Sequence, residues 1–445
     1  MPFDCNQEKR SPRSPQSGLS KETDLTKHTV RRYHEPFVVS NCYLVDVVNG
    51  TVDTAHRSML VINGRIGNIT ESSAASGIRT YDARGGFIVP GLIDMHVHVT
   101  LNPHLRLDSD PLPELAPERL RQNSALNAAK ALDSGITLMR DLGGRLQMPR
   151  IIRDQIHRGE IAGPRLVVAG EMITCRHGHG TEEQFRFGAE CDSLDDIRTA
   201  VQRNCEEGAD WVKITTQGGG HPEELSLEHL KVAVEAAHAK HKKIACHAHF
   251  KESSIAKAVD ARVDTLEHGC MITPDIAKRM AEFDVAYCPT LEIVARLAEE
   301  PALFGVESTS FINQIRETRQ KHIESVQLAM EAGVKIIAGT DAGIAHLEFD
   351  GLHRELYRLE QAGLARKDAL RAATSTAGTV LAMPGITGTL APGAVADFLI
   401  TSTDPLVDLT TLRKPLAVFI DGHMVRGALG DAEDKMRIVN PSRAD

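Results

Sequence analysis

Between about residues 89 and 387, short apolar runs alternate with longer segments whose apolar residues recur every three or four positions. Short apolar runs rich in β-branched residues are typical of buried strands, and the three-to-four spacing is typical of amphipathic helices. Eight runs carry the strand signal: GLIDMHVHV, GITLMRDLG, RLVVAGEMI, ADWVKITT, KIACHAHF, DTLEHG, VAYCPT and VKIIAGTDAG. Because strands that alternate with helices form parallel sheets, the pattern predicts an α/β fold with a (β/α)8 TIM barrel over residues 89–387.

The flanking segments show a different pattern, in which short strands are separated by turns that contain glycine and asparagine. PFVVSNCYLVDVVNG and SMLVINGRIGNIT precede the predicted barrel, and GAVADFLI and PLAVFIDGHMVRG follow it. Such spacing is typical of strands joined by tight turns. We predict one small β-sandwich built from both chain ends, residues 36–88 and 388–430. Residues 1–35 are rich in serine, proline and charged residues, and we predict that they form a disordered N-terminal tail. We also predict a C-terminal tail over residues 431–445.

Polar residues occur at the ends of five predicted barrel strands, although the wall of a barrel is otherwise apolar. They are His96 and His98 on the first strand, Lys213 on the fourth, His247 and His249 on the fifth, His268 on the sixth and Asp341 on the eighth. His96 and His98 share one face of their strand about 6–7 Å apart, so both imidazoles can reach one metal ion. Each residue alone has a simpler explanation, such as a core histidine, a helix cap for Asp341 or a solvent-reaching amine for Lys213. Since barrel enzymes carry their function at the carboxyl ends of the strands, the combination predicts an active site there.

Composition and charge narrow the classes of function. The 51 basic and 60 acidic residues give a net charge of −9, which argues against a general nucleic-acid binder. No apolar run approaches the roughly 20 residues needed to cross a bilayer, so we expect no membrane partner. The N-terminus lacks the apolar core of a secretory signal, and eight cysteines are scattered without a CxxC pair. We therefore expect a cytoplasmic protein with reduced thiols. As partners we expect a small-molecule substrate and further copies of the same chain in a homo-oligomer.

The residues at the strand ends resemble those of the two-metal members of the amidohydrolase superfamily. These members have HxH on strand 1, lysine on strand 4, histidines on strands 5 and 6 and aspartate on strand 8. The likeness covers residues 36–427 and includes PGLIDMHVH, GRI and VADFLI. Within the superfamily, DWVKI followed by GGG, HAHFK and TLEHG are similar to the imidazolonepropionase-related branch, which contains Xaa-Pro dipeptidases and an ochratoxin amidohydrolase. The resemblance implies an enzyme that hydrolyses carbon–nitrogen bonds.

The same resemblance implies two divalent metal ions, which we expect to be Zn²⁺. Six residues are the predicted ligands: His96, His98 and Asp341 for the first ion, His247 and His268 for the second, and carbamylated Lys213 as the bridge. The two divalent ions carry four positive charges, and the carbamate, Asp341 and a bridging hydroxide carry three negative charges. The residual charge favours the oxyanion that forms when the hydroxide attacks a carbonyl. Asp341 is also the predicted catalytic residue, which accepts the proton of the hydroxide and passes it to the leaving amine.

Three further residues are assigned to substrate binding. They are His249, two positions after His247, His179 in the loop TCRHGHG, and Arg186 beyond that loop. Each also has a simpler role: His249 as a hydrogen-bonding neighbour of the ligands, His179 in a flexible turn and Arg186 as a solvated side chain. Some members of the branch use a tyrosine in this region, whereas this chain has none between residues 81 and 287. We expect cleavage of an amide whose amine side carries a carboxylate, as in an N-acyl amino acid, an Xaa-Pro dipeptide or an ochratoxin-like conjugate.

Other functions stay open at this point. Superfamily deaminases with one metal often carry a glutamate three residues after the strand 5 histidine, and Glu252 follows His249 at that spacing. That alternative leaves Lys213 as a buried amine without a task, which costs several kcal/mol if the amine is charged. A ring-amide or lactone hydrolase of the same superfamily is a further alternative. The alternative without catalysis is a silent barrel that serves as a binding scaffold, although all six ligand positions are filled.

Overall fold

The computed structural model describes residues 35–71, 77–104, 117–182, 186–216, 224–383, 385–427 and 429. The predicted N-terminal tail up to residue 34 and the predicted C-terminal tail lie outside the described residues. The GGG match to the branch also lies outside them.

Strands and helices alternate through the middle of the chain, as the apolar pattern predicts. The strands are β1 (Phe37–Asp46), β2 (Thr51–Val52), β3 (Arg57–Ile62), β4 (Arg65–Thr70), β5 (Arg79–Pro90), β6 (Leu92–Val97), β7 (Ile136–Asp141), β8 (Arg165–Val168), β9 (Met172–Thr174), β10 (Gly188–Glu190), β11 (Trp211–Thr215), β12 (Lys243–Ala248), β13 (Thr265–His268), β14 (Ala286–Cys288), β15 (Phe398–Thr401), β16 (Ala417–Ile420) and β17 (His423–Gly427). The helices are α1 (Pro117–Asp133), α2 (Met148–His157), α3 (Leu194–Glu206), α4 (Leu227–Ala239), α5 (Glu252–Asp260), α6 (Pro274–Glu282), α7 (Leu291–Glu299), α8 (Thr309–Glu331), α9 (Leu352–Gln361), α10 (Arg366–Ala372) and α11 (Ser375–Val380).

Local sequence signals explain where several helices begin. Ser193, Ser226, Thr273 and Ser308 each precede a helix, and each side chain accepts a backbone N–H from the first turn. These short hydroxyl residues satisfy donors that the helix itself leaves unpaired. The helices α3, α4, α6 and α8 therefore start directly after a hydroxyl residue.

The parallel strands of the middle region form two sheets. One has the order β6-β7-β8 and the other the order β10-β9-β11-β12-β13-β14. All six residues of β6 are buried, as is typical of a strand covered on both faces. The register places Ala248 beside His268 and Lys213 beside Ala245, so the polar ends of β11, β12 and β13 lie together.

The eighth predicted strand, VKIIAGTDAG, is not a regular strand and makes only isolated bridges. Tyr287 N–H donates to the carbonyl of Lys335 (2.8 Å), and Met95 N–H donates to that of Ala338 (2.9 Å). The segment therefore lies between β14 and β6. Its backbone leaves the extended conformation at Asp341, whose φ is +59°. A Cβ at Gly339 would lie 2.7 Å from the Cβ of His96, so only glycine fits this close approach.

Strands from the two chain ends form a single sheet with the order β17-β16-β15-β5-β1-β3-β4, and β2 pairs with β1. The β-sandwich predicted from both chain ends stays a prediction, and the structure joins its strands by hydrogen bonds into one continuous sheet. The sheet curls over its own core, since Phe37 of β1 stacks on Phe419 of β16 with 5.6 Å between ring centroids. The boundaries predicted at residues 88 and 388 stay predictions, and the first of them falls within β5.

None of the helices in the described ranges is both long enough and apolar enough to span a bilayer. The cytoplasmic location stays a prediction.

Candidate metal centre

The two histidines of β6 present their Nε2 atoms to the carboxylate of Asp341. His96 Nε2 and His98 Nε2 each lie 3.4 Å from Asp341 Oδ1. The Nδ1 atom of His98 donates to the carbonyl of Gly143 at 2.8 Å, and Nδ1 of His96 lies 2.8 Å from a carboxylate oxygen of Glu267. An imidazole whose Nδ1 carries the proton has its lone pair on Nε2. Both rings are therefore in the tautomer that leaves Nε2 available as a ligand.

Two of the predicted ligands stand in the left-handed region of the backbone. His268 has φ +67° and Asp341 has φ +59°. Residues other than glycine adopt this conformation infrequently, and such positions cluster at functional sites. In both cases the residue ends an extended segment, so the turn in the backbone occurs at the ligand itself.

His268 is held from its ring and from its backbone. Its Nδ1 lies 2.8 Å from Thr290 Oγ1. Its carbonyl accepts hydrogen bonds from the Tyr287 hydroxyl and from Nε2 of His322, both at 2.8 Å. Tyr287, Thr290 and His322 are completely buried. These neutral partners determine both the orientation of the ring and the path of the strained backbone.

His247 and Lys213 complete the group. The ring centroid of His247 lies 4.5 Å from that of His268. Lys213 is only 1% exposed, and its Nζ has no hydrogen-bond partner among the described residues. A buried ammonium without a partner carries a large desolvation cost. The surroundings therefore favour the neutral amine or a modified form of it.

The pKa shifts agree with neutral imidazoles beside an ionised carboxylate. Burial lowers the pKa of His96 to about 4, and burial together with the neighbouring histidines and Lys213 lowers that of His247 and His268 well below the ordinary value. Burial also lowers the pKa of Lys213. For Asp341, burial alone would raise the pKa, but His96, His98 and Lys213 outweigh it and hold the pKa below its usual range. At neutral pH the group therefore offers nitrogen lone pairs and one carboxylate, the form that binds metal ions.

The donor set is of a kind that holds divalent cations. Ligand atoms of His96, His268 and Asp341 all lie within 4.8 Å of one another. A second group with the same spacing consists of His96, Glu267 and Cys288. The direct hydrogen bond between His96 Nδ1 and Glu267 leaves no room for an ion between these atoms, so the first group is the better candidate. Imidazole and carboxylate together suit zinc and neighbouring transition metals.

Sequence reasoning missed the buried charges behind the predicted ligands. Arg140 on β7 and Glu267 on β13 are both 0% exposed and form an ion pair of 2.9 Å. Asp94 accepts hydrogen bonds from the backbone and the hydroxyl of Thr340 and so ties β6 to the segment that carries Asp341. Burial raises the pKa of Asp94 to about 7. Arg140, Glu267 and Asp94 could have been found from the sequence, because each is a charged residue within an otherwise apolar predicted strand.

The predicted substrate-binding residues differ in their relation to the centre. The ring of His249 stacks parallel to that of His247 with centroids 5.8 Å apart, and it lies 4.9 Å from His268. The ring of His179 lies 4.5 Å from that of His247, and its Nδ1 lies 3.1 Å from Glu182. Both histidines are therefore at the centre.

Arg186 and Glu252 are exposed. The backbone N–H of Arg186 donates to the Glu182 carbonyl, and the next residue, Phe187, stacks on His98. Arg186 is thus the sequence neighbour of a residue that contacts the centre. Glu252 starts α5, and its exposed position gives no support to the role that the deaminase alternative assigns to it.

Known proteins resemble this chain in sequence and in fold. The profile of the Amidohydrolase family matches residues 87–425. Ochratoxinase from Aspergillus niger is 27% identical over 365 residues, which cover 74% of this chain and 73% of that protein. A crystal structure of a prolidase complexed with N-methylphosphonate-L-proline has a TM-score of 0.78 at 25% identity and covers 88% of this chain and 100% of that one. A crystal structure of an Xaa-Pro dipeptidase with bound methionine in the active site has a TM-score of 0.80 at 24% identity, with the same coverage, and shows the likeness of the fold.

Proposed function

Because this chain belongs to the Amidohydrolase family, and is thus a hydrolase of carbon–nitrogen bonds, we propose that it uses two divalent ions to cleave an amide of a small substrate bearing a carboxylate. The substrate class comprises N-acyl amino acids, Xaa-Pro dipeptides and ochratoxin-like conjugates. The relatives named prolidase and ochratoxinase support this class. We also propose that the middle strands close into a (β/α)8 barrel, supported by the bridges from segment 335–342 to β14 and β6.

One observation carries the proposal. Six predicted ligands from five places in the chain lie near one another, five of them buried and His247 partly exposed, and the Lys213 amine has no hydrogen-bond partner among the described residues. In a two-ion centre His96, His98 and Asp341 would hold one Zn²⁺, His247 and His268 would hold the other, and Lys213 as a carbamate would bridge them. A neutral lysine amine is the form that reacts with CO₂, and burial of Lys213 favours that form.

When bound, two such ions supply a nucleophile at neutral pH by lowering the pKa of water to roughly 7, and they polarise the substrate carbonyl. The carbamate and Asp341 carry two negative charges and the imidazoles none, so the centre keeps a positive charge that stabilises an oxyanion. The ionised Asp341 is positioned to accept the proton of the nucleophile and to give it to the leaving amine.

His249, His179 and Arg186 are the proposed contacts for the substrate. The ring centroids of His249 and His179 lie 5.8 and 4.5 Å from that of His247. Imidazole N–H groups and a guanidinium can each donate hydrogen bonds to a carboxylate. A site that holds such an anion rejects a neutral analogue, because the donors that bind the carboxylate then lose that partner.

The proposal is tested by comparing an N-acyl amino acid with its methyl ester on the zinc-loaded protein. The wild type should prefer the free acid. At least one of the variants His249→Ala and Arg186→Ala should lose that preference, and we expect the loss first in His249→Ala. Arg198→Ala, which removes an exposed arginine of α3, is the matched control and should keep the preference. Equal cleavage of acid and ester by the wild type would contradict the proposed substrate class.

A further inference from the structure

A buried chain of hydrogen bonds leads from Arg140 through Glu267 to His96. Arg140 and Glu267 are 0% exposed and His96 is 1% exposed. Nη2 of Arg140 donates to Glu267 Oε1 at 2.9 Å, and Oε2 of Glu267 lies 2.8 Å from Nδ1 of His96. The two oxygens of one carboxylate thus serve two different partners, a cation on one side and a predicted metal ligand on the other.

The position of Glu267 is determined by contacts from several strands. Arg140 also donates to the carbonyl of Met95 on β6 (2.6 Å) and to Thr265 Oγ1 on β13 (3.0 Å). Its guanidinium lies over the ring of Trp211 on β11, 4.5 Å from the centroid. The Thr265 hydroxyl donates to the same oxygen of Glu267 that Arg140 binds. One oxygen of Glu267 is thus held by Arg140 and Thr265, and the other faces His96.

A buried ion pair is a weak source of stability, because desolvation of both charges offsets their attraction. This pair has a consequence for the centre instead. An ionised carboxylate at Nδ1 keeps the proton there, directs Nε2 towards Asp341 and makes the ring a stronger donor to a metal. Because Arg140 cancels the charge of Glu267, the pair does this without lowering the net positive charge of the centre.

We infer that Glu267 and Arg140 form a positioning pair that sets the tautomer and ligand strength of His96. The pair acts through His96 and is not itself a ligand. The inference rests on the proposed two-ion centre, and it predicts an asymmetry between the ions. The ion held by His96 and His98 depends on the pair, whereas the ion held by His247 and His268 does not.

The test measures zinc affinities by chelator competition and the visible spectrum of the cobalt-loaded protein. In the double variant Arg140→Met/Glu267→Gln both charges are removed together. We expect one ion to bind as in the wild type and the other to bind about 10–100-fold more weakly, with an altered cobalt band. Glu267→Asp keeps a negative charge for Arg140 but withdraws the carboxylate from His96, so it should show the same loss even if the double variant does not fold.

Asp397→Asn is the matched control. Asp397 is also a buried carboxylate paired with an arginine, Arg165, and it accepts the backbone N–H of Asp421 at 2.8 Å. This variant should bind both ions as the wild type does. Unchanged affinity for both ions in folded Glu267→Asp would overturn the inference while leaving the two-ion centre in place. A wild type that binds no ion would overturn the proposed function itself, and the inference with it.

Discussion

His96 and His268 are two predicted ligands of one centre, yet different kinds of partner hold them. Behind His96 stands the charged pair of Arg140 and Glu267, completely buried. Behind His268 stand the neutral side chains of Tyr287, Thr290 and His322, equally buried. Both arrangements fix a ring by its Nδ1 atom, so the difference lies in charge and not in geometry.

The difference has an energetic consequence. A neutral hydrogen bond contributes about 0.5–1.5 kcal/mol to stability, and an unsatisfied buried group costs about 1–3 kcal/mol. Removing one member of a buried ion pair costs about 3–5 kcal/mol, because the other charge remains without a partner. The His96 side of the centre should therefore be the more sensitive to single substitutions.

The largest expected effect is that of Glu267→Gln alone. It leaves the guanidinium of Arg140 buried and unpaired, and we expect the free energy of unfolding to fall by about 3–5 kcal/mol. Urea unfolding of the metal-free protein measures this directly. The double variant with Arg140→Met should recover part of the loss. A loss below 1 kcal/mol in the single variant would show that the pair is not charged or not buried in solution.

A smaller effect is expected on the neutral side. Tyr287→Phe removes the hydroxyl that donates to the carbonyls of His268 and Gly269 at 2.8 and 3.0 Å. Those acceptors stay buried, so we expect a loss of about 1–3 kcal/mol. The carbonyl of His268 still has its hydrogen bond from His322. If Tyr287→Phe destabilised the protein more than Glu267→Gln, the contrast between charged and neutral partners would be wrong.

The smallest effect is expected where charges pair near the surface. Burial alone would raise the pKa of Glu224, but hydrogen bonds from Lys251, Lys257 and Ser254 lower it to about 2. A carboxylate whose pKa is lower in the folded state stabilises the fold above its unfolded pKa, and this contribution is lost as the pH falls towards the folded pKa. Because Lys251 is half exposed and solvent screens the pairing, Glu224→Gln should cost no more than about 1 kcal/mol at pH 7.

Urea unfolding of wild type and Glu224→Gln at pH 7, 5, 4 and 3 checks this sign. The difference between them should shrink below about pH 4.5, the ordinary pKa of glutamate. Glu235→Gln, an exposed residue within α4, serves as the control. A difference that grew as the pH fell would contradict the assigned direction of the Glu224 shift.

The sequence predicted the parts of the site that depend on local order along one strand. His96, Lys213 and His268 interrupt apolar runs, and such interruptions are visible without a structure. Family and branch were likewise predicted from these motifs and are confirmed by the comparisons. The alternation of strands and helices predicted the mixed α/β architecture.

Features that depend on which strands are neighbours could not be predicted in this way. Arg140 and Glu267 lie 127 residues apart on strands that are not paired with each other. His322 lies on α8, where one buried histidine among helical residues has no distinctive spacing. The left-handed backbone at Asp341, which interrupts the eighth predicted strand, also depends on a neighbouring strand. We attribute it to the close packing of this segment against β6, which the local sequence pattern does not reveal.

The central claim, a two-ion centre bridged by Lys213, is tested most directly by counting metal ions per chain. The zinc-loaded protein is incubated with bicarbonate and dialysed, and its zinc content per chain is measured by elemental mass spectrometry. Lys243→Met is the control, because Lys243 lies at the start of β12 and donates to the Val380 carbonyl. We expect two ions per chain in the wild type and in Lys243→Met, and at most one in folded Lys213→Met. Two tightly bound ions in Lys213→Met would contradict the account.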